Sequence, residues 1–144
     1  MHSHQINNII NMKATPQQTA YTLLRITMGV NLLAHGLVRF PKLNGFRDWM
    51  VDFFKDTPFP TALVSGWATV LPFVEFGIGL LLIIGVFTYR TSIAGALLII
   101  ILLFGSCMTE QWEWAGMQMI YALIFVILIS QIEYNKWTIQ KYFK

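Results

Sequence analysis

Four long apolar stretches dominate the hydrophobic pattern of this chain, and most polar residues lie between them or at the two ends. The stretches cover residues 20–40, 61–87, 92–108 and 115–132. A helix needs about 20 apolar residues, and at least about 17, to cross the hydrocarbon core of a bilayer. Because lipid offers no partner to backbone N–H and C=O groups, each stretch is predicted to be a transmembrane helix.

The four predicted spans form one transmembrane domain over residues 19–133, with a polar arm (1–18) before it and a basic tail (134–144) after it. Tyr89 and Arg90 are predicted to form the turn between the second and third spans. Short connections place successive helices side by side and antiparallel. The predicted fold class is all-α, an integral membrane protein built as an up-down four-helix bundle.

Residues 41–60, between the first two spans, are too many for a simple turn. Phe46, Trp49, Met50 and Phe53 recur at helical spacing, and charged residues fall on the opposite face. This pattern predicts an interfacial amphipathic helix that lies in the headgroup plane. Two interpretations stay open: a lid that only seals the bundle, and a docking surface or gate over a lipid-accessible pocket.

Composition agrees with a membrane location. Of the 144 residues, 56% are hydrophobic and 12% are charged, against about 45–50% and about 25% in soluble domains. The net charge of +3 lies mainly outside the predicted spans and gives no reason to expect nucleic acid as a partner. The lipid bilayer is the predicted partner.

Lysine and arginine counts predict the orientation. The side that holds both termini carries Lys13, Arg90, Lys136, Lys141 and Lys144, and the other side carries Arg39, Lys42, Arg47 and Lys55. Loops rich in these residues stay in the cytoplasm. The protein is therefore predicted to be multi-pass with both termini in the cytoplasm. Trp112 and Trp114 are predicted to form an interfacial aromatic belt on the outer side, and the same loop could instead bind a partner.

Glu75 is the only charged residue in the second apolar stretch. A carboxylate at that depth costs about 2.5–3.5 kcal/mol on insertion scales, so it needs a partner or a task. The predicted partner is Arg25 in the first stretch. A salt bridge that only fixes helix pairing and a proton-carrying or anion-binding site, such as one for a quinone head, both fit this pair.

The side of the first helix that carries Arg25 is predicted to face the bundle interior. At about 100° per residue, Gly29, His35, Gly36 and Arg39 share this side. The two glycines allow a neighbouring helix to come close.

His35 and Glu75 can then share a polar cavity, and Asn31, one turn before His35, can orient the imidazole ring. A lone intramembrane histidine can equally bond a neighbouring backbone or hydroxyl group.

The sequence lacks the residue motifs that several redox mechanisms need. Cys107 is the only cysteine, so there is no C-x-x-C for thiol–disulfide chemistry. His35 is the only histidine in a predicted span, which argues against haem and metal ligation, and no dinucleotide fingerprint indicates flavin or nicotinamide. Any redox role must use a bound organic carrier or a partner subunit.

Two segments of the sequence carry recognisable motifs. The first contains Leu24-Arg25, Gly29 and His35-Gly36. The second, residues 75–90, contains a glutamate, a run of small and apolar residues and Gly-x-x-Thr-x-Arg. Both segments resemble those of DoxX/DoxD-like membrane proteins. The resemblance spans about residues 21–132. It implies a bacterial-type cytoplasmic (inner) membrane and a link to respiratory redox chemistry. DoxD-type members are small subunits of thiosulfate:quinone oxidoreductase.

The expected function is a membrane subunit of a quinone-linked oxidoreductase, of the thiosulfate type or a redox-stress relative. Arg25, His35 and Glu75 are the expected catalytic residues, and the same three with Asn31 are the expected quinone-binding residues. A soluble or membrane redox subunit, or further copies of the chain, are candidate partners. The alternative is a non-catalytic scaffold whose buried ion pair is structural.

Overall fold

A computed structural model describes residues 14–139, and all regular structure in this range is helical. The predicted all-α fold is confirmed. The α-helices are α1 (Pro16–Arg39), α2 (Leu43–Phe53), α3 (Thr61–Ile84), α4 (Thr88–Met108) and α5 (Trp112–Ser130), with 3₁₀ turns at Phe40–Lys42 and Ile132–Tyr134. Most of the predicted N-terminal arm and the last five residues of the basic tail lie outside the described residues.

Three helices of the described range, α3, α4 and α5, are long and apolar enough to cross a membrane. Helix α1 has the same 24-residue length as α3, but it is not among these three. Arg25, Asn31 and His35 interrupt its apolar pattern. The length and composition of α3, α4 and α5 are those of an integral membrane protein.

The connection between α3 and α4 lies earlier than predicted. Gly85 has a φ of 74° and donates its N–H to the carbonyl of Leu81, which ends α3. Phe87, with a φ of 48°, precedes α4, and Tyr89 and Arg90 belong to the first turn of that helix. The prediction of a turn at Tyr89 and Arg90 is wrong because glycine supplies the left-handed conformation that ends a helix here.

Helices α1 and α3 form the closest helix pair in the described range. A Cβ atom at Gly29 would lie 2.9 Å from the carbonyl oxygen of Gly79, and one at Gly36 would lie 2.7 Å from Cβ of Phe76. A Cβ at Gly79 would overlap the backbone of Leu33. The predicted close approach at Gly29 and Gly36 is confirmed, and these contacts show that the two helices run antiparallel.

Helices α4 and α5 form a second pair, in which the ring of Phe125 fills the space left by Gly95. The hydroxyl of Tyr21 on α1 donates to the carbonyl of Leu128 on α5 at 2.8 Å and links the two pairs. Apart from this link, the α1–α3 pair and the α4–α5 pair have fewer contacts with each other than the helices within each pair have. Helix α2 packs on α3. This arrangement leaves a cavity between the pairs.

Candidate functional site

The cavity has a volume of about 630 Å³ and is bounded by side chains from all five helices. Its size is within the range of about 300–1,000 Å³ that is typical of small-molecule sites. Its wall is mainly apolar. The aromatic lining residues are Phe46, Trp49, Phe53, Phe54, Phe59, Trp67, Phe104, Trp114 and Tyr121.

An ion pair and a neighbouring histidine form a polar cluster in the cavity wall. Glu75 on α3 is only 3% exposed. Nη1 of Arg39, the last residue of α1, donates a hydrogen bond to Oε2 of Glu75. Nη2 of Arg39 lies 3.4 Å from Nδ1 of His35, one helical turn earlier, and this nitrogen can accept a hydrogen bond when it carries no proton. The three residues form a continuous polar cluster that borders an apolar space.

Arg39 also contacts a side chain of α2. Its Cζ atom lies 4.6 Å from the centre of the Phe46 ring. A guanidinium over an aromatic face at this distance is attracted by the ring quadrupole. Arg39 therefore connects α1, α2 and α3 at the cavity.

The predicted pairing of Arg25 with Glu75 is wrong. Arg25 is 2% exposed, and it donates from Nη1 to Oδ1 of Asn135 at 3.2 Å and from Nη2 to the carbonyl of Trp137 at 2.8 Å. Its guanidinium packs against Gly85, ten residues beyond Glu75 on α3. At 1.5 Å per residue, this position is about 15 Å from Glu75 along the helix. The antiparallel register of α1 and α3 keeps Arg25 away from the carboxylate.

The structure brings two of the four predicted site residues, His35 and Glu75, to the cavity. Arg25 and Asn31 are not among its lining residues in the described range, and Asn31 is partly buried on α1. Sequence reasoning missed Arg39 as the partner of Glu75. The signal was present, because Arg39 falls on the same side of the first helix as His35.

The aromatic side chains of α2 face the cavity. The rings of Trp49 and Phe53 stack at 5.1 Å, and the Trp114 ring of α5 lies 5.5 Å from that of Phe53. Trp114, assigned from sequence to an interfacial belt, is thus part of the cavity wall. Gln118 also lines the cavity, and its buried Oε1 atom has no hydrogen-bond partner among the described residues. The wall offers ring faces and one free acceptor.

The chain is thus an all-helical membrane protein with a charged cluster beside an aromatic cavity. The family model named DoxX matches residues 20–110, more than half of the chain. The chain belongs to the DoxX family, and the match includes His35, Arg39 and Glu75. Comparisons with curated proteins and with solved structures give no match.

Proposed function

We propose that this DoxX-family chain is a membrane subunit that binds the head of a quinone in the cavity, within a quinone-linked oxidoreductase. The observation that supports this most strongly is the cluster of buried Glu75 with partly buried Arg39 and His35 at an aromatic cavity of about 630 Å³. A DoxD-like complex that oxidises thiosulfate is the specific form we propose. A soluble or membrane redox subunit then supplies the electrons.

The residues present fit a quinone head. The head is a flat ring with two carbonyl oxygens, and the aromatic wall offers faces on which such a ring can stack. Arg39 and His35 carry N–H groups that can donate to a carbonyl oxygen. A bound quinone supplies two-electron, two-proton redox chemistry at this position.

Each residue of the cluster then has a defined task. The Arg39 guanidinium stabilises negative charge that develops on an oxygen beside it, and this effect is strong where water is excluded. The Glu75 carboxylate, held by Arg39, exchanges a proton with a hydroxyl group. His35 orients the ligand through a ring nitrogen. Arg39 thus takes the role that the sequence had assigned to Arg25.

We also propose that α1 is a fourth span and that the protein is an up-down bundle in the bacterial inner membrane, with both termini in the cytoplasm. The antiparallel contact of α1 with α3 supports this arrangement. Helix α2 then lies at the outer interface. The exposed charges of α2 and of the turn after it, including the Arg47–Asp48 and Lys55–Asp52 pairs, would face the headgroups.

A scaffold without catalysis is the competing function. It is supported by the fact that the Arg39–Glu75 pair connects α1 to α3 and so could serve folding alone. The double variant Arg39→Glu/Glu75→Arg separates the two functions because it preserves pairing but exchanges the positions of the charges. A scaffold tolerates this exchange, whereas a quinone site loses binding.

Quinone binding is measured in mild detergent by quenching of tryptophan fluorescence with a decyl-tailed benzoquinone. We expect His35→Ala and the charge-exchange variant to weaken binding about tenfold or more, the effect of losing one good hydrogen bond to a charged or polar group. Arg90→Gln, at an exposed position in α4, should bind as the wild type does. Equal affinity in all four proteins would contradict the proposal.

A further inference from the structure

The cavity has an opening between α3 and α4. Leu63 on α3 and Ile101 and Phe104 on α4 line the cavity, yet they are 59%, 49% and 58% exposed. Side chains that border a cavity and are also accessible from outside lie at its mouth. Because α3 and α4 are membrane-spanning helices, this mouth faces the side of the bundle and not its end.

The mouth extends from the helix ends towards the middle of the spans. Leu63 is the third residue of α3, whereas Ile101 precedes Met108, the last residue of α4, by seven residues, which corresponds to about 10 Å along the helix. Between α2 and α5 the rings of Trp49 and Trp114 approach to 6.4 Å and narrow the cavity, but these side chains are 47% and 43% exposed, so the cavity is accessible there as well. The mouth between α3 and α4 is the one that opens towards lipid.

A shallow and open groove on the outer face of α3 continues from the mouth. It has a volume of about 280 Å³ and is lined by Ala62, Leu63, Gly66, Trp67 and Val70. Leu63 and Trp67 line both the groove and the cavity. A Cβ atom at Gly66 would have no neighbour within 4 Å, so the glycine leaves open space on a surface that lipid surrounds.

We infer that the ligand of this site is a membrane-dissolved amphiphile with a long alkyl or prenyl tail. It enters laterally between α3 and α4, its head reaches the Glu75 cluster, and its tail lies in the groove beside Gly66. The inference rests on the proposed function in placing the ligand head in the same cavity. It adds the route of entry and the position of the tail.

The test uses the full chain in liposomes with one reporter thiol inside the cavity. Ser106 is buried and lines the cavity, so Ser106→Cys is introduced together with Cys107→Ser. The probes are N-dodecylmaleimide, N-ethylmaleimide and an anionic, water-soluble methanethiosulfonate. Two matched pairs of variants are added to this background: Ile101→Trp with Ile100→Trp, and Gly66→Leu with Gly77→Leu.

Ile100 is an exposed neighbour of Ile101 that does not line the cavity, and Gly77 has the same free space as Gly66 outside the groove. We expect Ile101→Trp to slow labelling by N-dodecylmaleimide about tenfold, a rise of about 1.4 kcal/mol in the barrier, and Ile100→Trp to leave it unchanged. Gly66→Leu should slow the dodecyl reagent more than the ethyl reagent, and Gly77→Leu should slow neither.

Each rate is divided by the rate of the same reagent with a free thiol in solution. Equal rates within each matched pair, or faster normalised labelling by the anionic reagent than by the dodecyl reagent, would overturn the inference. The labelling requires no quinone. Lateral entry can therefore stand even if quinone binding fails, and quinone binding can be observed even if the matched pairs show no difference.

Discussion

Arg39 at the end of α1 and Glu75 within α3 form an ion pair at the wall of the cavity, and the carboxylate is almost completely buried. A carboxylate at membrane depth is costly without a partner. The pair offsets this cost, and His35 beside it gives the cluster a group that can both donate and accept a proton. The pair therefore connects the stability of the α1–α3 contact with the chemistry proposed for the cavity.

The first prediction concerns the stability that this pair provides. Arg39→Gln leaves the buried Glu75 carboxylate without its cation and should lower the free energy of unfolding by about 3 kcal/mol, the lower part of the range for broken buried pairs, because the Arg39 side chain is partly exposed. Adding Glu75→Gln should restore part of this loss, since the charge that needs compensation is then gone. Unfolding in detergent, followed by circular dichroism, measures both changes.

Arg47→Gln is the matched control for this prediction. Arg47 pairs with Asp48 on the exposed face of α2, and surface pairs contribute only about 0–1 kcal/mol. If Arg39→Gln is no more destabilising than Arg47→Gln, the ion pair does not stabilise the contact between α1 and α3.

The second prediction concerns the close contact of α1 with α3. Gly79→Ala places a methyl group against the backbone of Leu33 and should destabilise the protein by about 1–3 kcal/mol, as overpacking does. Gly77→Ala, two residues earlier on the same helix, meets open space and should leave stability unchanged or raise it slightly. Similar melting temperatures for the two variants would show that α1 and α3 are not packed as described.

The third prediction concerns Arg25 and the segment after α5. Arg25→Gln removes two hydrogen bonds from a guanidinium to Asn135 and Trp137, and such bonds contribute about 1.5–3 kcal/mol each. Hydrogen exchange over residues 131–139 should accelerate at least about tenfold. Quinone affinity should stay that of the wild type, because Arg25 does not line the cavity.

Arg90→Gln serves as the control for Arg25→Gln, since Arg90 is exposed. Unchanged exchange in the Arg25 variant would contradict its role in holding this segment. A loss of quinone affinity with normal folding would instead return Arg25 to the site that the sequence predicted.

Much of the helical organisation could be predicted from the sequence. Apolar stretches of this length must form helices in lipid, and the small residues Gly29 and Gly36 marked the face of α1 that contacts α3. His35 and Glu75 were found because ionisable residues inside apolar stretches are rare and costly. Each of these inferences depends on one helix or one residue at a time.

The partner of Glu75 could not be found in that way, because it depends on the register between two helices. Helical periodicity places Arg25 and Arg39 on the same side of α1 and does not choose between them. The contacts of Gly29 with Gly79 and of Gly36 with Phe76 fix the register of the two helices, and this register places Arg39 beside Glu75. Matching the small residues of the two helices before assigning the ion pair would have indicated Arg39.

The sequence left two interpretations of α2 open, a lid that only seals the bundle and a docking surface or gate over a lipid-accessible pocket, and it could not place the aromatic side chains in a cavity wall. The spacing of Trp49 and Phe53 predicted an amphipathic helix, but an apolar helix face can lie on lipid or on protein with the same pattern. The contact of these rings with Trp114 on α5 depends on the path of the chain between α1 and α3. Only tertiary packing shows that this face lines a cavity.

The most direct test of the central claim is to identify what the purified protein carries. Three proteins are purified in mild detergent, extracted and analysed by mass spectrometry: wild type, Glu75→Gln and Glu113→Gln. Glu113→Gln is the control, because it changes an exposed carboxylate in the first turn of α5. The account predicts about one quinone per chain in wild type and in Glu113→Gln, and its loss from folded Glu75→Gln. Lipid without quinone in all three proteins, or equal quinone in wild type and Glu75→Gln, would contradict it.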